Sequence, residues 1–179
     1  MNPDDFAFRP LTKDDLPAML RLCQGNPQYF QHMGQPLTLK GLEGDLTALP
    51  PGKALQDKHF EGIWQGDRLA AMQDWIEGYP REDTAYIGWF ILDIDYQGRG
   101  MGSALVRQLL DRISAMGFAR VRLAYARGNE QSRRFWLKNG FLPTGEEKPN
   151  ETYTAVLMER AGLSHASENC IMSKKKGPA

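Results

Sequence analysis

The stretch Asp93-Ile94-Asp95-Tyr96-Gln97-Gly98-Arg99-Gly100-Met101-Gly102 combines closely spaced glycines with the start of an amphipathic pattern. Apolar and aromatic residues at 85–92 precede it, and Leu105, Val106, Leu109, Leu110 and Ile113 follow at helical spacing. Strand, glycine-rich turn, helix is the architecture of an anion cradle. Glycines let the backbone approach a phosphate closely, and the first N–H groups of a helix lack internal partners. The spacing is G-x-G-x-G, so it is not a dinucleotide fingerprint, and no Gly-Lys-Ser/Thr follows as in a P-loop. A tight structural turn is the bland alternative.

The elements around the turn read as follows. Residues 6–10 form a strand ended by Pro10. Thr12 and Asp15 resemble a capping box, ahead of a helix carrying Leu16, Met19, Leu20 and Cys23. Residues 25–36 read as a loop, and Leu39, Leu42, Leu46 and Leu49 as a second helix. Residues 59–64 and 69–76 are strands joined by a hairpin turn at 65–68. After a turn at 78–83 comes the strand 85–92, giving an antiparallel meander. The glycine turn opens a helix to Met116, and Gly117 ends it. A strand at 119–124 should lie parallel to 85–92 by a right-handed crossover. Gly128-Asn129 opens a further helix that Gly140 closes, and 141–144 with 152–158 make a last antiparallel pair. Residues 1–160 should be one domain and 161–179 a flexible tail, with Lys174, Lys175 and Lys176 as a marginal basic patch.

Composition narrows the class. The 179 residues suffice for one domain, with 22 basic and 22 acidic residues balancing to zero formal charge. That argues against a nucleic-acid or membrane partner. No apolar run reaches the roughly 20 residues that span a bilayer, and the acidic start lacks a signal-peptide core. Cys23 and Cys170, with His32, His59 and His165, are too scattered for a disulfide framework or metal site. A cytoplasmic protein is expected.

Gln97-x-x-Gly100-x-Gly102, then Ser103-Ala104-Leu105, resembles the acyl-CoA-binding motif of the GNAT acetyltransferase superfamily. The block from Asn129 through Phe135, Trp136, Lys138, Gly140 and Phe141 resembles that family's next motif. The two occur in order, and element order fits from about Phe6 to Met158. A Gly-Tyr-Pro turn, Gly78-Tyr79-Pro80, resembles a bacterial subgroup. The resemblance implies an α/β (α+β) fold. Its sheet is mixed and mostly antiparallel, of six or seven strands, with about four helices and a splayed parallel strand pair forming the CoA cleft.

It implies acetyl-CoA as cosubstrate, no metal, and acetyl transfer to a primary amine of a small molecule or peptide by a monomer or homodimer. The cofactor-binding set is Phe90, Leu92, Gln97, Gly98, Arg99, Gly100, Met101, Gly102, Ser103, Asn129, Ser132 and Trp136. Within it, N–H groups from Gly98 to Ser103 hold the pyrophosphate, Phe90 and Leu92 pair with pantetheine, and Asn129 contacts the CoA chain or caps its helix. Arg133, Arg134 and Lys138 either meet nucleotide phosphates or form a solvated face.

The chain departs from the family twice. The strand before the turn carries no carboxylate, so the candidate bases become Glu77 and Asp74 on the neighbouring strand, then Asp93. Trp136 stands where the family commonly has a proton-donating tyrosine, and an indole N–H is no usable acid. Tyr125 and Tyr153 are the candidate replacements. Residues 24–36 and the 78–83 turn should form the acceptor wall, with Tyr29, Phe30, Trp75 and Tyr79, and with Glu77, Glu82 and Asp83 suiting a cationic amine. The rival reading is a noncatalytic acyl-CoA-binding module acting as sensor or partner surface. A nucleotide-phosphate binder of another kind is a third.

Overall fold

The computed structural model describes residues 6–163. Seven strands form one sheet in the order β1-β2-β3-β4-β5-β7-β6. They are β1 (Ala7–Pro10), β2 (Lys58–Gln65), β3 (Arg68–Ile76), β4 (Thr84–Leu92), β5 (Arg120–Ala126), β6 (Leu142–Pro149) and β7 (Thr154–Ala161). The expected meander of β2, β3 and β4 is present, and β1 adds antiparallel to β2. The β4–β5 pair is the parallel one, and β7 inserts antiparallel between β5 and β6. This is the mixed, mostly antiparallel architecture that the sequence resemblance implies.

Side-chain alternation along the strands builds two cores, one on each face. On β3, Met72 packs with α1 (Leu16–Gln24) and α3 (Leu39–Asp45) residues such as Met19, Leu22 and Leu42. Trp75, of opposite parity, packs with α4 (Met101–Ala115) through Val106, Leu109 and Ile113. The helix α5 (Glu130–Lys138) joins that second core through Trp136.

Three expectations are revised. The 25–36 loop contains a short helix, α2 (Pro27–Met33). Proline at its first position and Gly34 in the left-handed conformation at its end are start and stop signals, obscured by the lack of apolar periodicity. With α2 the described α-helices number five, where about four are expected. The helix expected to reach Leu49 stops at Asp45, its glycines leaving it short, and Thr38 caps its start by accepting from Gly41 N–H. The last hairpin is longer than expected, running over 142–149 and 154–161 around a bulge between Pro143 and Glu147.

Strand β7 continues to Ala161, and Leu163 N–H donates to Ala119 C=O, so the fold extends just past residue 160. Cys170, His165 and the 174–176 lysines lie outside the described residues. No described helix is long and apolar enough to cross a membrane.

Candidate active site

Pairing between β4 and β5 runs from Thr84↔Arg120 to Ile87↔Leu123 and then stops. Beyond it the strands splay, and the β4 backbone over 88–92 has no partner on that edge. A cavity of about 660 Å³ fills the splay. Its walls come from β4, β5, α5, the glycine turn and the α1–α2 junction.

One end of the cavity is made by backbone. Asp93 starts the turn: its carboxylate accepts from Asp95 N–H and holds Arg68 at 2.9 Å. That fixed ion pair keeps Asp93 at the turn's base. Gly98 and Gly100 adopt φ of 74° and 81°, where L side chains are strained, and Gly100 stands at the N-cap of α4. The first N–H groups of α4, at Met101, Gly102 and Ser103, are left without intrahelical acceptors. Gly98, Gly100, Gly102 and Ser103 line the cavity, whereas Arg99 is exposed outside it and Met101 is buried beneath the turn. Gly102 also permits packing: a Cβ there would lie 3.1 Å from the Phe135 ring.

Gln97 connects the parts. Its side-chain amide donates to Leu92 C=O and to Asn26 Oδ1, both at 2.8 Å. It thereby ties the end of β4 to the α1–α2 junction. On the far wall Asn129, buried, accepts from Ser132 N–H at 2.9 Å and caps α5. Both residues line the cavity. Phe90 stacks on Phe135 (centroids 5.7 Å apart), and Trp136 packs edge-on to Phe90, Phe135 and Phe141. Trp136 is thus both a core residue and part of the wall. Of the basic residues on α5, Lys138 lines the cavity, while Arg133 pairs with Glu130.

The other end is made by side chains. Tyr29 stacks on Trp89, and Tyr86, Tyr125, Tyr153 and Met33 complete the lining. Thr152 donates its hydroxyl to Met33 C=O at 2.7 Å, drawing the β6–β7 connection over α2. Burial raises the phenols of Tyr29 and Tyr86, the latter to about 12. Neither phenol ionises near neutral pH.

The candidate bases fall in separate places. Glu77 pairs with His59, whose ring stacks on Trp75, and does not line the cavity. Asp74 is held by Lys58 Nζ at 2.8 Å to each oxygen. Asp93, committed to Arg68, also stays out of the lining. Tyr125 of β5 and Tyr153, just ahead of β7, do line the cavity. Glu82 and Asp83 are exposed in the turn before β4, and neither they nor Tyr79 and Trp75 reach the cavity; Tyr79 packs edge-on to Tyr86 behind it. Contributors given no individual role by the sequence include Asn26, Lys58, Tyr86, Gly88, Trp89 and Thr152. The Asn26-Pro27 pair is a legible helix start, while the others act through contacts distant in sequence.

A model of the acetyltransferase (GNAT) family matches residues 45–141. The chain belongs to the GNAT acetyltransferase family. Solved structures agree in fold. An acetyltransferase from Thermus thermophilus is 24% identical, with TM-score 0.67 over 87% of this chain and 96% of that one. The ribosomal-protein-S18-alanine N-acetyltransferase from Escherichia coli is 21% identical, with TM-score 0.64 over 92% of this chain and 97% of its own. The PaiA N-acetyltransferase from Thermoplasma acidophilum, solved in complex with coenzyme A, is 16% identical, with TM-score 0.62 over 87% and 98%. No curated protein matches the sequence significantly. GNAT membership supports acetyl transfer in general.

Proposed function

We propose that this GNAT protein is an acetyl-CoA-dependent N-acetyltransferase whose acceptor is a primary amine of a small molecule or peptide. The observation that carries the reading is the glycine turn at the head of α4, opening onto the cavity where β4 and β5 part. Unpartnered N–H groups there fit a pyrophosphate, and the free edge of β4 fits the amide groups of a pantetheine arm.

The N–H groups of Gly98, Arg99, Gly100, Met101, Gly102 and Ser103 would hold the pyrophosphate. Phe90 and Leu92 would offer backbone groups to pantetheine, Gln97 would keep that edge in place, and Asn129 and Ser132 would meet the chain from α5. Trp136 would close the wall. Acetyl-CoA supplies an acetyl group activated as a thioester. The aromatic end, with Tyr29, Tyr86, Trp89 and Tyr153, then receives the acceptor. The S18-alanine enzyme among the similar folds acts, by its name, on an amine of a protein, in keeping with such an acceptor.

Losing a proton-donating residue at Trp136 is tolerable. A thiol with pKa near 8.5 leaves as thiolate at pH 7 for about 2 kcal/mol. Tyr125 and Tyr153 line the cavity and can donate a hydrogen bond to the departing sulfur. The same Trp136, with no carboxylate among the described residues lining the cavity, is what favours the second reading, a noncatalytic acyl-CoA sensor. Thiol release from acetyl-CoA across a panel of amines, beside calorimetric CoA binding, separates the two. Turnover supports the enzyme, and binding without turnover on any amine supports the sensor.

A further inference from the structure

The proposed reaction leaves a proton unaccounted for. A lysine-like amine, with pKa near 10.4, is almost wholly protonated at pH 7, and freeing its lone pair costs about 4.6 kcal/mol. The ionisable side chains lining the cavity, among the described residues, are Tyr29, Tyr86, Tyr125, Tyr153 and Lys138. Phenols and an ammonium are poor proton acceptors at that pH, and two of the phenols are pushed further up by burial.

A carboxylate does stand directly behind the wall at Gly88, although it is not itself part of the lining. The pairing between β3 and β4 slips there: Trp75 faces Ile87 and Asp74 faces Trp89, so Gly88 is the extra residue of a bulge. Gly88 lines the cavity at the point where β4 and β5 part. A Cβ built on it would stand 3.0 Å from Asp74 Oδ2. Asp74 therefore crowds, from the neighbouring strand, the position a Cβ at 88 would take. Backbone φ at Gly88 is not in the left-handed region, so conformation alone does not demand a glycine there. What a larger residue would disturb is the carboxylate, which would have to shift.

We infer that Asp74, separated from the cavity by the side-chainless Gly88 and held by Lys58, is the proton acceptor for the incoming amine. The inference rests on the acyl-transfer reading of this cavity. Asp74 keeps 15% side-chain exposure, whereas Lys58 keeps 3%. Lys58 thus works as a buried positioning residue that holds both Asp74 oxygens beside Gly88. The groups that act on Asp74 are Lys58 and His59 from β2, and it acts in turn on Asp45 of α3. Burial raises the Asp74 carboxyl above the ordinary carboxylate value, and the Lys58 hydrogen bonds and charge oppose the rise. The result is a stronger proton acceptor than a surface aspartate.

The step balances as follows. The ammonium of the acceptor gives one proton to Asp74. The amine nitrogen forms the C–N bond to the acetyl carbon, and the C–S bond breaks with its electron pair leaving on sulfur. The nitrogen's second proton passes to that sulfur, and Asp74 returns its proton to solvent.

The test compares Asp74→Asn, Gly88→Ala and Lys58→Met in the full chain, using the best amine from the thiol-release panel. Calorimetric CoA affinity and a ¹³C NMR titration of the Asp74 carboxyl serve as readouts beside activity. Asp74→Asn should lower kcat by roughly 100-fold or more, abolish the rise of kcat with pH, and leave CoA affinity within twofold. Gly88→Ala, whose methyl crowds the carboxylate, should lower kcat with CoA affinity retained. Lys58→Met should move the rise in kcat, and the NMR titration, to higher pH together, because the opposing cation is gone. A folded, CoA-binding Asp74→Asn with kcat within threefold of wild type and an unchanged pH profile would overturn the assignment. Wild-type protein that releases no thiol with any amine would overturn the acyl-transfer reading itself, a separate result.

Discussion

The two ends of the cavity are built by different means. At the glycine turn the ligand-facing groups are backbone N–H, and Gly98, Gly100 and Gly102 are there for conformation and close packing. At the aromatic end the facing groups are side chains brought from α2, β4, β5 and the β6–β7 connection. A backbone cradle tolerates little change in residue type and accepts one ligand chemistry. A side-chain wall can change its lining without changing the fold. The donor should therefore be common to many proteins of this architecture, and the acceptor particular to this one.

Substitution tests that contrast. The largest effect is expected at the backbone end. Gly100→Val forces a β-branched residue to φ near 81°; a Cβ there meets nothing within 4 Å, so the damage is conformational. Losing two charge-assisted N–H bonds costs about 3 kcal/mol, so calorimetry should show CoA affinity reduced more than about 100-fold. An unchanged Kd would mean that the turn is no cradle.

Gln97→Ala comes next, because it cuts the tie between the ends. It removes donors to Leu92 C=O and Asn26, and urea unfolding should show a loss of about 1–3 kcal/mol. Both CoA affinity and acceptor KM should worsen. A change in only one would mean that Gln97 serves only that end.

Thr152→Ala removes the bond to Met33 C=O, worth about 1 kcal/mol. Acceptor KM should rise a few-fold while CoA Kd stays constant, measured by initial rates and calorimetry. A shift in CoA Kd instead would blur the division of labour.

The smallest effect is expected from Glu77→Gln with Glu82→Gln. Neither residue lines the cavity, and Glu77 is engaged with His59. Steady-state rates should give an acceptor KM within twofold of wild type. A large rise would return these acids to the acceptor wall.

The same contrast explains what the sequence alone conveys. Gly98, Gly100 and Gly102 before a helical pattern are legible because the backbone demands them at fixed spacing. The parallel β4–β5 pair follows from strand, helix, strand order. The aromatic end is only half legible. Tyr29 stands out as an aromatic in an expected loop, but Tyr79 and Trp75, expected in the wall, pack behind it. Gly88 carries no signal, because its importance comes from Asp74, 14 positions earlier and one strand away. Likewise Thr152 reaches Met33 across 119 positions. Contacts of that separation are made by the fold and leave no local pattern.

A crystal structure with CoA bound would test the central claim most directly. The pyrophosphate should lie on the N–H groups of residues 98–103, with the sulfur at the Gly88 end of the β4–β5 splay, beside which Asp74 stands. CoA bound away from the glycine turn, or with its sulfur directed away from Gly88, would contradict that claim.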